Sequence, residues 1–289
     1  MQDKICLITG ANAGIGQQTA LELAQMGATV VIIARDPQRG EAARAAIAAA
    51  SGNPRVELLQ ADFAAPESIH AMAAAFAARY DRLDVLVNNA GVYLTGREET
   101  AAGLERTFAV NHLGYFMTTL LLWDSLIAAP SARVINLSSD AHRQAKLNFD
   151  DLQNRGKYAG FRAYGQSKLA NVLFTYELDR RRGDLPITVN AVHPGFVASN
   201  FGRNNRGVVG LVMTRLVPLF AKSVAEGAAT SVYLASSPEV AGVSGRYFVD
   251  SRAVNSAPQS YDRAAAERLW AVSEELTGIR LPALALPGQ

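Results

Sequence analysis

The chain has 289 residues, of which 49% are apolar and 19% charged, and its net charge is +2. That balance supplies a core and argues against disorder, and without a basic block it argues against nucleic acid as a partner. Cys6 is the sole cysteine and the histidines, His70, His112, His142 and His193, lack ligand spacing; an internal disulfide is excluded and no structural metal is expected.

The N-terminus, Met1-Gln2-Asp3-Lys4, enters an apolar strand at once, without the apolar core and small-residue cleavage site of a secretory signal, so a cytoplasmic location is expected. Short β-branched runs then alternate with helical patterns. The strands read as 5–9, 29–34, 56–60, 85–88, 133–137, 188–192 and 247–249, and the helices as 16–26, 41–50, 67–80, 98–127, 158–182 and 224–236. Gly27 and Gly183 stand where helix C-terminal glycines belong.

Several strands are apolar throughout, as burial on both faces requires. The fold class expected is α/β, a Rossmann-type doubly wound parallel sheet of about seven strands. No linker or repeat marks a boundary, so residues 1–289 read as a single domain. Its core spans 4–250, a substrate lid lies at about 199–221, and a last helix and tail occupy 251–289.

No apolar run reaches the ~18 residues of a membrane span. Residues 207–221 come nearest, but they carry Arg215 and Pro218. They read as a cover over a pocket, with a lipid-touching surface as the alternative.

The first strand ends in Thr9-Gly10-Ala11-Asn12-Ala13-Gly14-Ile15-Gly16 and a helix follows. A glycine-rich turn between strand and helix lets the backbone approach a pyrophosphate that rests on helix N-terminal amides. The second strand ends in Ala34-Arg35-Asp36, with Arg39 close by. A carboxylate at this place suits the ribose hydroxyl of NAD, and a guanidinium suits the extra phosphate of NADP. Arg35 favours NADP(H), with NAD(H) the alternative, and Asp36 has a competing role as a helix cap. Asp62, beyond the third strand, is either an adenine contact or a turn residue.

Tyr164-Gly165-Gln166-Ser167-Lys168 puts a phenol and an ammonium four residues apart, on one face of a helix. A neighbouring cation lowers a phenol's pKa from ~10 and makes Tyr164 a candidate general acid/base.

The glycine turn, Asn88-Asn89-Ala90-Gly91, Asn111, Ser138-Ser139, Tyr164 with Lys168, and His193-Pro194-Gly195 occur in the order of the short-chain dehydrogenase/reductases, and the chain resembles that family from residue 4 to about 250. Asn111-His112-Leu113-Gly114, the run from Ala163 to Asn171, and the long separation of Ser139 from Tyr164 look most like its retinol dehydrogenase branch. Members of that branch bound to membranes carry an apolar N-terminal anchor, whereas this sequence starts directly at the dinucleotide fold.

The resemblance implies that Tyr164 exchanges a proton with a substrate oxygen and Ser139, rather than Ser138, donates a hydrogen bond to it. Lys168 would lower the tyrosine's pKa and hold a nicotinamide ribose, and Asn111 would anchor a water leading to Lys168. It also implies cofactor contacts at Gly10, Asn12, Ala13, Gly14, Ile15, Gly16, Arg35, Asp62, Phe63, Asn89, Ala90, Gly91, Pro194, Gly195, Val197 and Ser199, besides Tyr164 and Lys168. Structural alternatives stay open: the serines as strand terminators, Asn111 as a cap or kink, His193 as a turn residue.

The function expected is an NADP(H)-dependent oxidoreductase that interconverts an alcohol with a ketone or aldehyde on a lipophilic small molecule. The resemblance implies a homo-oligomer, the state in which members of the family often occur. The alternative is a dinucleotide-binding sensor or scaffold without turnover.

Overall fold

Side chains alternate between two buried faces along the first strand: Cys6 and Ile8 join one apolar cluster and Leu7 the other, as the two-residue period of a strand requires. The computed structural model describes residues 1–197 and 222–282. β1 (Ile5–Thr9), β2 (Thr29–Ala34), β3 (Val56–Gln60), β4 (Val85–Asn88), β5 (Ala132–Leu137), β6 (Ile187–His193), β7 (Arg246–Val249) and β8 (Arg252–Val254) form one sheet in the order β3-β2-β1-β4-β5-β6-β7-β8. Every pairing is parallel except that of β7 with β8.

Leu7, Val31, Leu86, Val134 and Val189 face α3 (Pro66–Ala77) and neighbouring helices, whereas Ile8, Val30, Val87 and Ile135 face α1 (Gly14–Gln25), α2 (Pro37–Ser51) and helix Val224–Ser236. Each such side chain, fully buried, contributes about 1.5–3 kcal/mol.

The order reverses between β1 and β4. At such a switch point the loops leaving the two strands diverge and open a crevice. The glycine turn leaves β1 and the Asn88–Gly91 loop leaves β4, so both motifs meet there.

The single long helix expected over 98–127 is instead four pieces: α4 (Arg106–Phe108), a π turn (Ala109–Leu113), α5 (Gly114–Leu121) and α6 (Trp123–Ile127). The buried carboxylate of Glu105 accepts from the amides of Thr107 and Phe108 at 2.8 and 2.7 Å and starts the helix there. Residues before it turn through Gly103, at φ 74°, and pair Glu99 with Glu105. A glutamate cap is not the sequence signal that Ser, Thr, Asp or Asn gives.

α7 (Gly160–Arg181) begins two residues later than expected. A side chain on Gly160 would collide with the Leu94 carbonyl, so the start of α7 lies directly on the loop beyond β4.

The eighth strand is absent from the sequence expectation of about seven. Asp250 and Ser251, at φ 50° and 59°, make a two-residue hairpin turn without glycine, and the exposed Arg252–Val254 lacks an alternating pattern. The last helix is Arg263–Thr277. The lid assigned to 199–221 lies outside the described residues. No described helix is long and apolar enough to cross a membrane.

Candidate active site

Three backbone segments converge on the crevice. Thr9 Oγ1, at the end of β1, accepts from the amides of Asn89 and Ala90 at 2.8 and 3.0 Å, and Asn89 Nδ2 donates to the carbonyls of Thr9 and Gly10 at 2.8 and 3.2 Å. Gly10 sits at φ 65°, and a Cβ there would come within 2.8 Å of the Ala90 backbone. Glycine is therefore required at a close approach of two loops, as well as by its left-handed backbone.

Gly14, Ile15 and Gly16 open α1. Its N-cap, Ala13, supplies no side-chain acceptor and the first turn holds no acidic residue. The N-terminal amides thus keep their positive end for an anion. Asn12 lies in the turn just before. Gly195, at φ 85°, follows β6 and Pro194, and Val197 bridges to Lys222. Val197 and Ile15 both pack toward Gly227, where a Cβ would lie 2.5 and 3.4 Å from them. Ser199 lies outside the described residues.

Arg35 and Arg39 are both exposed beyond β2. Asp36 Oδ1 accepts from the Arg39 amide at 2.9 Å, so the helix-capping role of this carboxylate is realised. Asp62 Oδ1 likewise accepts from the Ala64 amide at 2.9 Å, as a turn residue does. Phe63 packs its ring on Gly114 inside the core, leaving its backbone beside Asp62.

The two serines after β5 diverge. Ser138 is buried and its hydroxyl donates to the Lys168 carbonyl at 2.9 Å. Ser139 is partly exposed, accepts from the Ala141 amide at 3.3 Å and hydrogen-bonds the hydroxyl of Tyr164. The strand-terminating role thus falls to Ser138.

Tyr164 and Lys168 share one side of α7, with Lys168 Nζ 5.7 Å from the Tyr164 ring centroid. The ammonium donates to the Leu137 carbonyl at 3.0 Å and stands 5.4 Å from the ring of Tyr115, a neighbour that the sequence did not single out. Tyr93 meets Tyr164 edge-on at 5.8 Å and 86°; it too escaped notice, because a tyrosine two residues beyond Gly91 carries no motif of its own.

Asn111 is buried on the π turn. Its Oδ1 accepts from the Val92 amide at 2.7 Å, and its Nδ2 donates to the Val92 carbonyl and to Ser167 Oγ, both at 3.0 Å. It thereby ties the loop beyond Gly91 to α7. A Cβ on Gly91 would stand 3.4 Å from Asn111 Oδ1 and 3.6 Å from Lys168 Nζ.

The acidified phenol is not what this arrangement gives. Burial pushes Tyr164 up to about 12, with the Ser139 hydrogen bond acting against it, and burial pulls Lys168 down to about 7. Loss of water penalises phenolate and ammonium alike. Tyr164 is half-buried as a residue, yet burial is the largest influence on its hydroxyl.

His142 serves the fold. Its Nε2 accepts from the Ala257 amide at 3.0 Å, so Nδ1 carries the proton and donates to the Ser139 carbonyl at 2.7 Å. His193 lies at the end of β6 with its pKa lowered by burial. Among the described residues no group of histidines, cysteines and carboxylates is arranged to hold a metal.

A family model described as short chain dehydrogenase matches residues 4–207. The chain belongs to the short-chain dehydrogenase family. Within it the chain is similar to retinol dehydrogenases: it is 43% identical to retinol dehydrogenase 12 of Mus musculus, over 96% of this chain and 87% of that one. It is 44% identical to retinol dehydrogenase 13 of Homo sapiens, over 97% and 86%.

Among solved structures, a putative uncharacterized protein from Mycobacterium Paratuberculosis superposes with a TM-score of 0.79 at 32% identity, covering 98% of this chain and 96% of that one. The Pseudomonas aeruginosa RhlG/NADP active-site complex gives 0.69 at 27% identity, covering 86% and 94%.

Proposed function

We propose that the protein is an NADP(H)-dependent oxidoreductase that interconverts an alcohol and a ketone or aldehyde on a lipophilic small molecule. The observation that carries this reading is the hydrogen-bonded pair of Tyr164 and Ser139 hydroxyls beside Lys168, at the carboxyl ends of the central strands.

When bound, a nicotinamide dinucleotide supplies or accepts the hydride. The uncapped amides at the start of α1 suit its pyrophosphate. Arg35 and Arg39 have no carboxylate partner among the described residues, and Asp36 is engaged as a cap, which favours a phosphate over a ribose hydroxyl at the end of β2. The NADP complex of the Pseudomonas aeruginosa neighbour supports the same choice.

Tyr164 donates its proton to the carbonyl oxygen as charge develops there, and Ser139 donates a hydrogen bond to the same oxygen. Lys168 stabilises the phenolate left behind and holds the ribose. Asn111 ties the Val92 loop to Ser167 on α7 and anchors the water that leads to Lys168. A phenol that burial keeps protonated is in the form that donates a proton to a carbonyl oxygen.

The exposed aromatic rings of Phe161 and Phe196, next to the site in sequence, and the edge of Tyr93 suit an apolar substrate. The retinol dehydrogenase names of the relatives point the same way.

The test is a panel of hydrophobic aldehydes and ketones offered with NADPH. Consumption of NADPH is the expected result. Tight NADPH binding with silence across the whole panel would instead favour a dinucleotide sensor.

A further inference from the structure

π turns widen a helix and re-aim successive side chains. On the turn Ala109–Leu113, Asn111 and His112 both reach α7, the first at Ser167 and the second at Asn171. Lys168 lies between those two positions. Asn171 is wholly buried, and its Nδ2 donates to the Leu137 carbonyl at 3.1 Å, the same oxygen that accepts from Lys168 Nζ at 3.0 Å.

His112 is also wholly buried, with Nε2 2.9 Å from Ser273 Oγ on the C-terminal helix. Its Nδ1 and the Asn171 Oδ1 are both enclosed atoms without a partner at ordinary hydrogen-bond geometry. The gap lined by His112, Phe116, Phe174, Leu269, Trp270 and Ser273 is too narrow for a water. Enclosed polar atoms that water cannot reach are best satisfied by one another.

One proton arrangement does so. The Ser273 hydroxyl donates to Nε2, Nδ1–H donates to Asn171 Oδ1, and the amide nitrogen is left facing Leu137. The other tautomer sets the Nδ1 lone pair against the Asn171 oxygen, and flipping the amide sets that oxygen against the Leu137 carbonyl. The Ser273 hydroxyl also has the Leu269 carbonyl within 2.8 Å, but that oxygen belongs to the helix's backbone ladder, so releasing it leaves nothing unpaired. Burial takes the imidazole pKa down to about 3 and keeps it neutral.

We propose that Asn171 is a positioning residue for Lys168, and that His112, anchored by Ser273, locks the Asn171 amide so that the Leu137 carbonyl is a fixed acceptor for the ammonium. The proposal rests on the functional reading above for its kinetic consequence, not for its hydrogen-bond chain. Tyr164 and Tyr115 are the titratable groups whose rings face Lys168, so the remaining N–H groups of the ammonium are directed by a carbonyl on one side and two aromatic rings on the others.

The first test needs no substrate. Long-range proton–nitrogen correlation spectra of the full chain read the imidazole tautomer, and His112 should be protonated at Nδ1 and bare at Nε2 over about pH 5 to 9. In Asn171→Leu the acceptor is gone, and the proton should move to Nε2. An Nε2 proton in the unaltered protein, or a tautomer indifferent to Asn171→Leu, would overturn the proposal.

The second test is kinetic. Asn171→Leu and His112→Phe should each lower kcat about tenfold with little change in KM, and the double variant should be no worse than either alone. His112→Gln, whose amide can still donate to Asn171, should recover most of the loss. Additive losses, or no rescue by glutamine, would count against it. If His112→Phe does not fold, His112→Gln and Ser273→Ala carry the same comparison. Turnover that survives Tyr164→Phe would instead remove the functional reading, while the tautomer still decides the chain.

Discussion

The hydroxyl of Ser138 donates to the backbone carbonyl of Lys168 at 2.9 Å, which turns the first of two adjacent serines into the fold and leaves Ser139 to meet Tyr164. Two variants separate these roles. Ser138→Ala should cost about 1 kcal/mol of stability, for one buried hydrogen bond, with turnover largely kept. Ser139→Ala should lower kcat about a hundredfold with thermal unfolding little changed. Steady-state kinetics and thermal melts of the pair check this, and the opposite pattern would assign the substrate contact to Ser138.

Tyr164→Phe removes the one transferable proton while keeping the ring that packs against Tyr93. Turnover should fall by about three orders of magnitude or more, with NADPH affinity within a few fold of the original. Near-normal turnover would take Tyr164 out of the mechanism.

Arg35 stands exposed at the end of β2, and its backbone carbonyl accepts from Gln60 Nε2 at 3.0 Å. Arg35→Ala should weaken NADPH about tenfold or more and NADH hardly at all, because only the former carries the added phosphate. Titration of both cofactors decides the matter: equal losses would undo the NADP preference.

Burial pulls Lys168 down to about 7 in the folded protein, against an ordinary 10.5. Between those values the unfolded chain binds a proton that the native state does not, so stability rises with pH across that window and is lost again as pH falls toward about 7. Lys168→Met should therefore stabilise the protein by about 1–3 kcal/mol near pH 6, and the gain should shrink toward pH 10. Chemical denaturation at the two ends of the window measures it. A gain independent of pH would mean that the ammonium is not desolvated as described.

Seven of the eight strands, the glycine turn and the Tyr164–Lys168 spacing were legible in the sequence because each depends on local chemistry. Both-face burial makes apolar runs, a strand-to-helix turn at close quarters needs glycine, and a helix brings residues four apart together. The eighth strand was not legible, since Asp250-Ser251 turns without glycine and Arg252–Val254 is exposed. Nor was the break in the helix over 98–127, because the carboxylate that starts it, Glu105, is a cap only by virtue of being buried against two amides.

By itself the amino-acid sequence determined the order of most elements, the family to which the chain belongs, and which side chains are candidates for the chemistry, for these follow from residue type and spacing. Only the tertiary structure decided the environment of those side chains: that the phenol is held protonated rather than acidified, that Ser139 and not Ser138 faces it, and that His112 and Asn171 gather behind Lys168. Those outcomes depend on how much water each group loses and which partners it gains from distant parts of the chain, and neither quantity is written in local spacing.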